Sequence, residues 1–505
     1  MKLLIQRCTL WPDGSGSVLL VDGKVERVSS SATQPVPGDA TELDAGGGTL
    51  LPALADSHCH PFELGWLRRN VDLRGTSNIT ALRMRVAART QRLSSGTWIQ
   101  GMGWDQEAFA ERRFPTRSDI DDVSPDNPVV LSRVCGHIGL LNSRAIDVLG
   151  LGAAQGDEYQ RDEKGTLTGI IKERALVEAY TRVPGGSAAD CEADLSVVEF
   201  EAAKCGLACL HTIMSPDGYR EEVEALVHLA TERRLLLKHR AFVPPDALPL
   251  VAELNQKLKG SRARVNGIKL FADGSLGART AALREPYSDD PGNSGLLRYS
   301  DEQLSQLAEK ADSLGLQVII HAIGDRAVEQ AVGALSALTG SRNPRRHRIE
   351  HASLLPKDLR AKVKKHGIRL AVQPSFVVSD TWAEKRLGSE RARDLYPLKS
   401  ILSDGIIASG GSDSPVESLS PILGIWAAMA GRSSSESLDL DGALKMYTTY
   451  AAVNGFDEAF ALKEGSVGDF TLLDSDVRKA HPTLLRKVGV SATIVGGELA
   501  YSSFE

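Results

Sequence analysis

The chain has 505 residues, 42% of them hydrophobic and 25% charged, which excludes a disordered or fibrous protein and exceeds what one ordinary compact core accommodates. The formal net charge of −6 leaves no basic surplus to neutralise phosphates, so nucleic acid is excluded as an expected partner and a small-molecule substrate is favoured. A slightly negative mean hydropathy and the lack of any run of about 18 apolar residues argue against a membrane partner.

The segment from Met1 to Pro12 is too short and too polar for a secretory leader. Six cysteines (Cys8, Cys59, Cys135, Cys191, Cys205, Cys209) lie without paired metal-ligand spacing or a dense disulfide framework, so reduced thiols and a cytoplasmic location are expected. Residues 1–50 read as β: Lys2 to Gln6 is a short apolar run, and Asp22-Gly23 between Ser17 to Val21 and Lys24 to Val28 is a hairpin signal. From Leu51 the apolar run Leu51 to Ala55 ends in Asp56, Ser57, His58, Cys59 and His60.

About 150 residues then separate His60 from the next clear strand near Leu207, far more than a usual strand-to-helix loop, so an insertion is expected at about 62–200. Long insertions beside a barrel mouth commonly form substrate pockets. Trp104, Asp105 and His137 are therefore candidate substrate contacts, with holding the insertion together as the alternative.

Beyond it the texture is helical stretches leading into apolar runs, such as Asp301 to Leu314 followed by Leu316 to Ile320, the pattern of parallel β/α units in a barrel or an open sheet. Polar residues stand where these runs end, the place where barrel enzymes build active sites. Val265 to Ile268 runs into Lys269, Val318 to Ile320 into His321, Arg348 to Glu350 into His351, and Ile406 to Gly411 into Ser412 and Asp413. Leu207 to Leu210 likewise ends in His211, a second contact layer or a substrate contact.

On a strand, residues two apart face one side, so His58 and His60 can converge on one ion. A single histidine at a strand end is more often a cap or a core residue; recurrence in register is what gives this set its weight. Asp413 has an alternative role as a turn or helix cap, and Lys269 as a lysine reaching the surface. Arg279 is a candidate for binding a substrate carboxylate, or for pairing with Asp273. At the C-terminal end, Asp469 to Leu473, Ala492 to Val495 and Glu498 to Tyr501 around Gly496-Gly497 repeat the β signature, so the two termini are expected to share one small sheet.

The order His-X-His, Lys, His, His, Asp resembles the ligand pattern of the amidohydrolase superfamily. The closer resemblance is to the branch that includes N-substituted formamide deformylases, through Gly267 to Thr280, His321 to Arg326, His347 to His351 and Gly411 to Glu417. It implies an α/β fold, a distorted (β/α)8 TIM barrel over 51–463, with a small β-sandwich domain built from 1–50 and 464–505. It implies metal ligands at His58 and His60 on the first barrel strand, Lys269 on the fourth, His321 on the fifth, His351 on the sixth and Asp413 on the eighth. In such enzymes the lysine is often carboxylated to an anionic carbamate that bridges two metals; an unmodified ammonium has no lone pair to offer.

The cofactor implied is a divalent metal, one ion or two, zinc first and manganese or cobalt as alternatives. The activity implied is hydrolysis of a carbon–nitrogen bond in an amide, formamide or cyclic imide by a metal-activated water, with Asp413 moving the proton. An ester or lactone hydrolase, a deaminase and a non-catalytic metabolite-binding barrel are the alternatives, and a homo-oligomer is left open.

Overall fold

The computed structural model describes every residue except 13, 135–136, 340–342, 458–460, 480 and 505. Cys135 therefore lies outside the described residues, while Cys8, Cys59, Cys205 and Cys209 are thiols rather than disulfides. Among the described residues no helix is long and apolar enough to cross a membrane. The chain divides into two compact units, one of Met1–Phe62 with Leu195–Glu505 and one of Glu63–Asp194.

The first unit contains an eight-stranded parallel sheet whose spatial order follows the chain: β1 (Leu54–Cys59), β2 (Leu207–Thr212), β3 (Lys238–Val243), β4 (Ala263–Phe271), β5 (Gln317–Ala322), β6 (Arg348–His351), β7 (Arg369–Val372) and β8 (Ala408–Gly410). β1, β2 and β6 are buried along their whole length, as expected of parallel strands covered on both faces. Helices fill the crossovers. Between β4 and β5, Asp301–Ser313 starts at Ser300, whose hydroxyl accepts from Gln303 N at 3.2 Å while the Gln303 side chain accepts from Ser300 N at 2.9 Å. Its buried residues Leu304, Ala308 and Ala311 fall on one helical stripe.

The sheet closes where β8 returns to β1. The buried Asp56 carboxylate accepts from His58 N and Ser412 N, both at 3.0 Å, and the Asp413 amide donates to His58 O at 2.7 Å. Burial pushes Asp56 up to about 6 against these hydrogen bonds. Close approach needs glycine: a Cβ on Gly411 would lie 2.7 Å from His58 N. The result is a distorted (β/α)8 barrel.

The termini build one mixed sheet beside it. Its order is Glu498–Ser502, Val490–Val495, Phe470–Leu473, Thr49–Pro52, Lys2–Leu10, Ser15–Val21 and Lys24–Ser29, with Ala40–Asp44 parallel to Lys2–Leu10. Antiparallel pairing of Leu472 with Leu50 and Phe470 with Pro52 joins the two ends of the chain. The Asp22-Gly23 and Gly496-Gly497 turns have positive φ at both positions (47° and 81°, 60° and 79°), the tight-hairpin geometry their sequences suggest. Thr471 and Thr493 hydroxyls donate to Gly206 O and Ala203 O, each at 2.7 Å, tying this sheet to the chain that enters β2.

The second unit has its own six-stranded sheet, running from Tyr159–Arg161 through Leu167–Lys172, Ile138–Leu141, Val129–Arg133 and Ile99–Trp104 to Val71–Asp72. Leu73, Leu82, Val86, Trp104, Ile120 and Leu131 are among the wholly buried residues of its core.

Gly411→Ala is expected to destabilise the chain by about 1–3 kcal/mol through overpacking at the seam. Gly333→Ala, on an exposed turn of Asp325–Thr339 with nothing within 4 Å of the added methyl, is expected to be neutral or stabilising. Urea-unfolding transitions of the two variants beside the parent check this, and equal shifts would contradict it.

Candidate metal centre

The strand-end residues meet at the C-terminal mouth of the barrel. In a parallel pair, residues level with each other share a face: Lys269 lies beside Ile319 and Glu350 beside His321, so Lys269, His321, Glu350 and Arg348 all lie on one face of the sheet. His351 follows Glu350 directly and would project to the other face if extended. Its left-handed backbone (φ 69°), continued at Ala352 (φ 45°), re-aims it. Asp413 is turned in the same way just past β8, at φ 54°.

The convergence is tight. Asp413 Oδ1 lies 3.3 Å from both His58 Nε2 and His60 Nε2. These three ligand atoms fall within 4.8 Å of one another, a group able to hold a metal ion. The His351 ring stands 4.8 Å from that of His58 and 4.4 Å from that of His321, and Lys269 Nζ is 3.4 Å from His58 Nε2.

Hydrogen bonds fix which ring nitrogens face inward. The Glu350 carboxylate accepts a hydrogen bond from His58 Nδ1–H, leaving the Nε2 lone pair toward Asp413. Gln373 Oε1 accepts from His351 Nδ1 at 2.7 Å, and Gly274 O accepts from His321 Nε2 at 2.9 Å, which frees His351 Nε2 and His321 Nδ1. Burial, with Lys269 next, drives His321 down to about 3, and burial with His321 holds His351 well below the usual histidine range, so both rings are neutral. Burial also brings Lys269 down to about 8, against the pull of Glu350 and Asp413. Burial alone would raise Asp413, yet the closeness of the His58 and His60 side chains holds it well below the usual carboxylate range.

Electron-rich atoms facing one another suit a bound cation. Ligand atoms bonded at about 2.0–2.1 Å to a tetrahedral ion stand about 3.3 Å apart, the separation of Asp413 Oδ1 from both histidine nitrogens. Neutral imidazoles and an ionised carboxylate are ligands that zinc accepts, so the residues present fit the group.

A buried support lies beneath, formed first by Arg348 and Glu350, to which the sequence pattern assigns no role. Burial would raise Glu350, but Arg348 and His58 bring it down to about 2. Its other oxygen accepts from Arg348 Nε at 2.6 Å, and Arg348 Nη2 donates to Ser57 O at 2.9 Å. The available signal was the pair itself: two opposite charges two apart on a short strand ending in a candidate ligand. Asp273 anchors the loop after β4, accepting from Ile323, Gly324 and Ala282 amides at 2.9–3.0 Å, and burial pushes it up to about 7.

The candidate substrate contacts sit differently. Arg279 does not pair with Asp273; its guanidinium is held by Asp289 at 3.0 and 3.2 Å, because Asp273 is occupied by three backbone amides. Trp104 is wholly buried in the core of the second unit, its indole donating to Leu131 O at 2.9 Å, so packing uses the surface a ligand contact would need. Asp105 pairs with Arg133 at 2.7 Å in the same unit, and the exposed His137 lies 3.2 Å from Glu173.

A sequence model of the Amidohydrolase family matches residues 41–501. The YtcJ protein of Bacillus subtilis (strain 168) is 30% identical over 504 residues, covering 95% of this chain and 93% of that one. An N-substituted formamide deformylase of Arthrobacter pascens is 26% identical over 523 residues, covering 96% and 94%. A solved structure described as an uncharacterized metal-dependent hydrolase from Pyrococcus furiosus has a TM-score of 0.79 at 32% identity, covering 94% of this chain and 99% of its own.

Glu350→Gln keeps the shape of the side chain and removes the charge that orients His58. Divalent-metal affinity, measured by competition with a chromophoric chelator, is expected to fall about 10–100-fold. Unchanged affinity would contradict the orienting role.

Proposed function

Because the chain belongs to the amidohydrolase family, we propose that it is a metal-dependent hydrolase that cleaves a carbon–nitrogen bond of a small molecule, in an amide, a formamide or a cyclic imide. The observation that carries the reading is the 3.3 Å approach of His58 and His60 to Asp413, a spacing of ligands around an ion. Likeness to proteins named as a metal-dependent hydrolase and an N-substituted formamide deformylase supports it.

His58, His60, His321, His351 and Asp413 would hold the metal, zinc first and manganese or cobalt as alternatives, with Lys269 as a further ligand once carboxylated. When bound, the metal supplies Lewis acidity, lowering the pKa of a water and polarising the substrate carbonyl. Asp413, kept ionised, accepts the proton of the attacking water and returns it to the leaving nitrogen. The Asp413, His60 and His321 side chains retain 14%, 19% and 13% exposure whereas Lys269 and His58 retain 1%, so substrate approaches over the former three.

Two divalent ions sharing this pocket need an anion between them, and an ammonium there would repel both by several kcal/mol at about 4 Å with an effective dielectric near 20. Burial lowers Lys269 to about 8, so part of it is free amine at neutral pH, the form that adds carbon dioxide. Thiols at Cys8, Cys59, Cys205 and Cys209 support a cytoplasmic setting.

Removing metal with a chelator is expected to abolish amine release from N-formyl and N-acyl compounds, and Zn²⁺, Mn²⁺ or Co²⁺ to restore it. Full turnover by metal-free protein would contradict the reading; ammonia release, or acid release from esters alone, would turn it to a deaminase or an esterase. Lys269→Ala is expected to lower metal content from two ions to one with loss of most activity, and small carboxylic acids to restore part of it. Equal metal content in parent and variant would remove the bridge and leave the hydrolase reading standing.

A further inference from the structure

His211 is the last residue but one of β2, with no exposed surface, and no step above uses it. Its Nδ1 lies 2.9 Å from Arg348 Nη1. A guanidinium has only donors, so Nδ1 is the acceptor and, in the neutral ring, the proton sits on Nε2. Burial, with Arg348 next, holds the ring well below the usual histidine range and so neutral. Nε2 is buried and, among the described residues, has no hydrogen-bond partner. Gly455 backs it so closely that a Cβ there would stand 2.7 Å away. A buried donor left unmade is unfavourable and calls for an explanation.

The explanation lies in what Arg348 holds. Its Nε and Nη2 bind Glu350 and Ser57 O, its face lies over Phe242 at 4.8 Å from the ring centre, and Nη1 donates to His211 on β2. A carboxylate at position 211 would compete with Glu350 for the guanidinium. An apolar side chain would leave the Nη1 protons unpaired in a dry interior. A neutral imidazole satisfies Nη1 without drawing the charge away.

We propose that His211 is a positioning residue of the metal centre: it fixes Arg348, which fixes Glu350, which aims His58 Nε2 at the ion. The inference rests on the metal-ligand reading of His58. It also accounts for the unmade Nε2 hydrogen bond, because only the tautomer that leaves Nε2 protonated offers a lone pair to Arg348.

The test uses the full chain loaded with Co²⁺, whose visible absorption reports ligand geometry, together with Co²⁺ affinity by chelator competition. His211→Leu is expected to weaken Co²⁺ binding about 10-fold or more and to change the spectrum, with the circular dichroism of the parent retained. His211→Asn, whose Oδ1 can accept from Nη1, is expected to restore both readouts, a rescue that loss of packing would not give. A folded His211→Leu protein with the parent's affinity and spectrum overturns the proposal, as does a His211→Asn protein no better than His211→Leu. If His211→Leu does not fold, Gly455→Ala decides, because its methyl presses on Nε2 and leaves the acceptor in place: an altered Co²⁺ spectrum supports the proposal and an unchanged one overturns it. A parent protein that binds no Co²⁺ removes the metal reading itself, an outcome distinct from all of these.

Discussion

Glu350 is a carboxylate with no exposed surface, and the geometry of the site depends on how its charge is balanced. An ionised group in a dry interior is tolerated only when paired and hydrogen-bonded. Arg348 supplies the countercharge from two residues back on the same strand, and the His58 N–H takes the remaining oxygen. That pairing leaves one nitrogen of His58 facing the mouth of the barrel. The same arginine reaches Ser57 O, next to His58 in sequence, so the backbone and the ring of this part of β1 are held from one point.

The barrel makes such an arrangement possible because eight strand ends meet at one mouth, but alternation along a strand works against it. Glu350 and His351 are consecutive, and both are needed on the same side. The left-handed turn at His351 resolves the conflict, and Asp413 does the same beyond β8. Conformations of this kind are unfavourable for a residue with a side chain and persist where surrounding contacts dictate them. Around Asp413 those contacts are visible: its amide is bound by His58 O, and the seam behind it is stitched by Asp56 and opened to close approach by Gly411.

Much of this was legible in the sequence, and the parts that were not share a physical reason. Parallel β/α units follow from apolar runs alternating with helical stretches, the family resemblance implies that they close into a barrel, and the terminal sheet follows from the Asp22-Gly23 and Gly496-Gly497 turns. The meeting of His58, His60, Lys269, His321, His351 and Asp413 at one mouth follows from their common place at strand ends. Side-chain partners across the fold are another matter. Arg348 and Glu350 read locally as charges on a short strand, and only the closed barrel shows that both point inward. Arg279 is taken by Asp289 because Asp273 is engaged with three amides brought together from two loops, which no spacing reveals. Trp104 was a candidate contact only by its place in the insertion, and its large ring fills the core of the second unit, the alternative role its position also allowed.

The central claim is that the mouth of the barrel is built around a metal ion. The most direct measurement is anomalous scattering at a metal absorption edge from crystals grown without chelator. A peak is expected at about 2.0–2.2 Å from His58 Nε2, His60 Nε2 and an Asp413 oxygen. A fully ordered site with water alone between these atoms in metal-replete crystals, or a peak bound elsewhere on the chain, would contradict it.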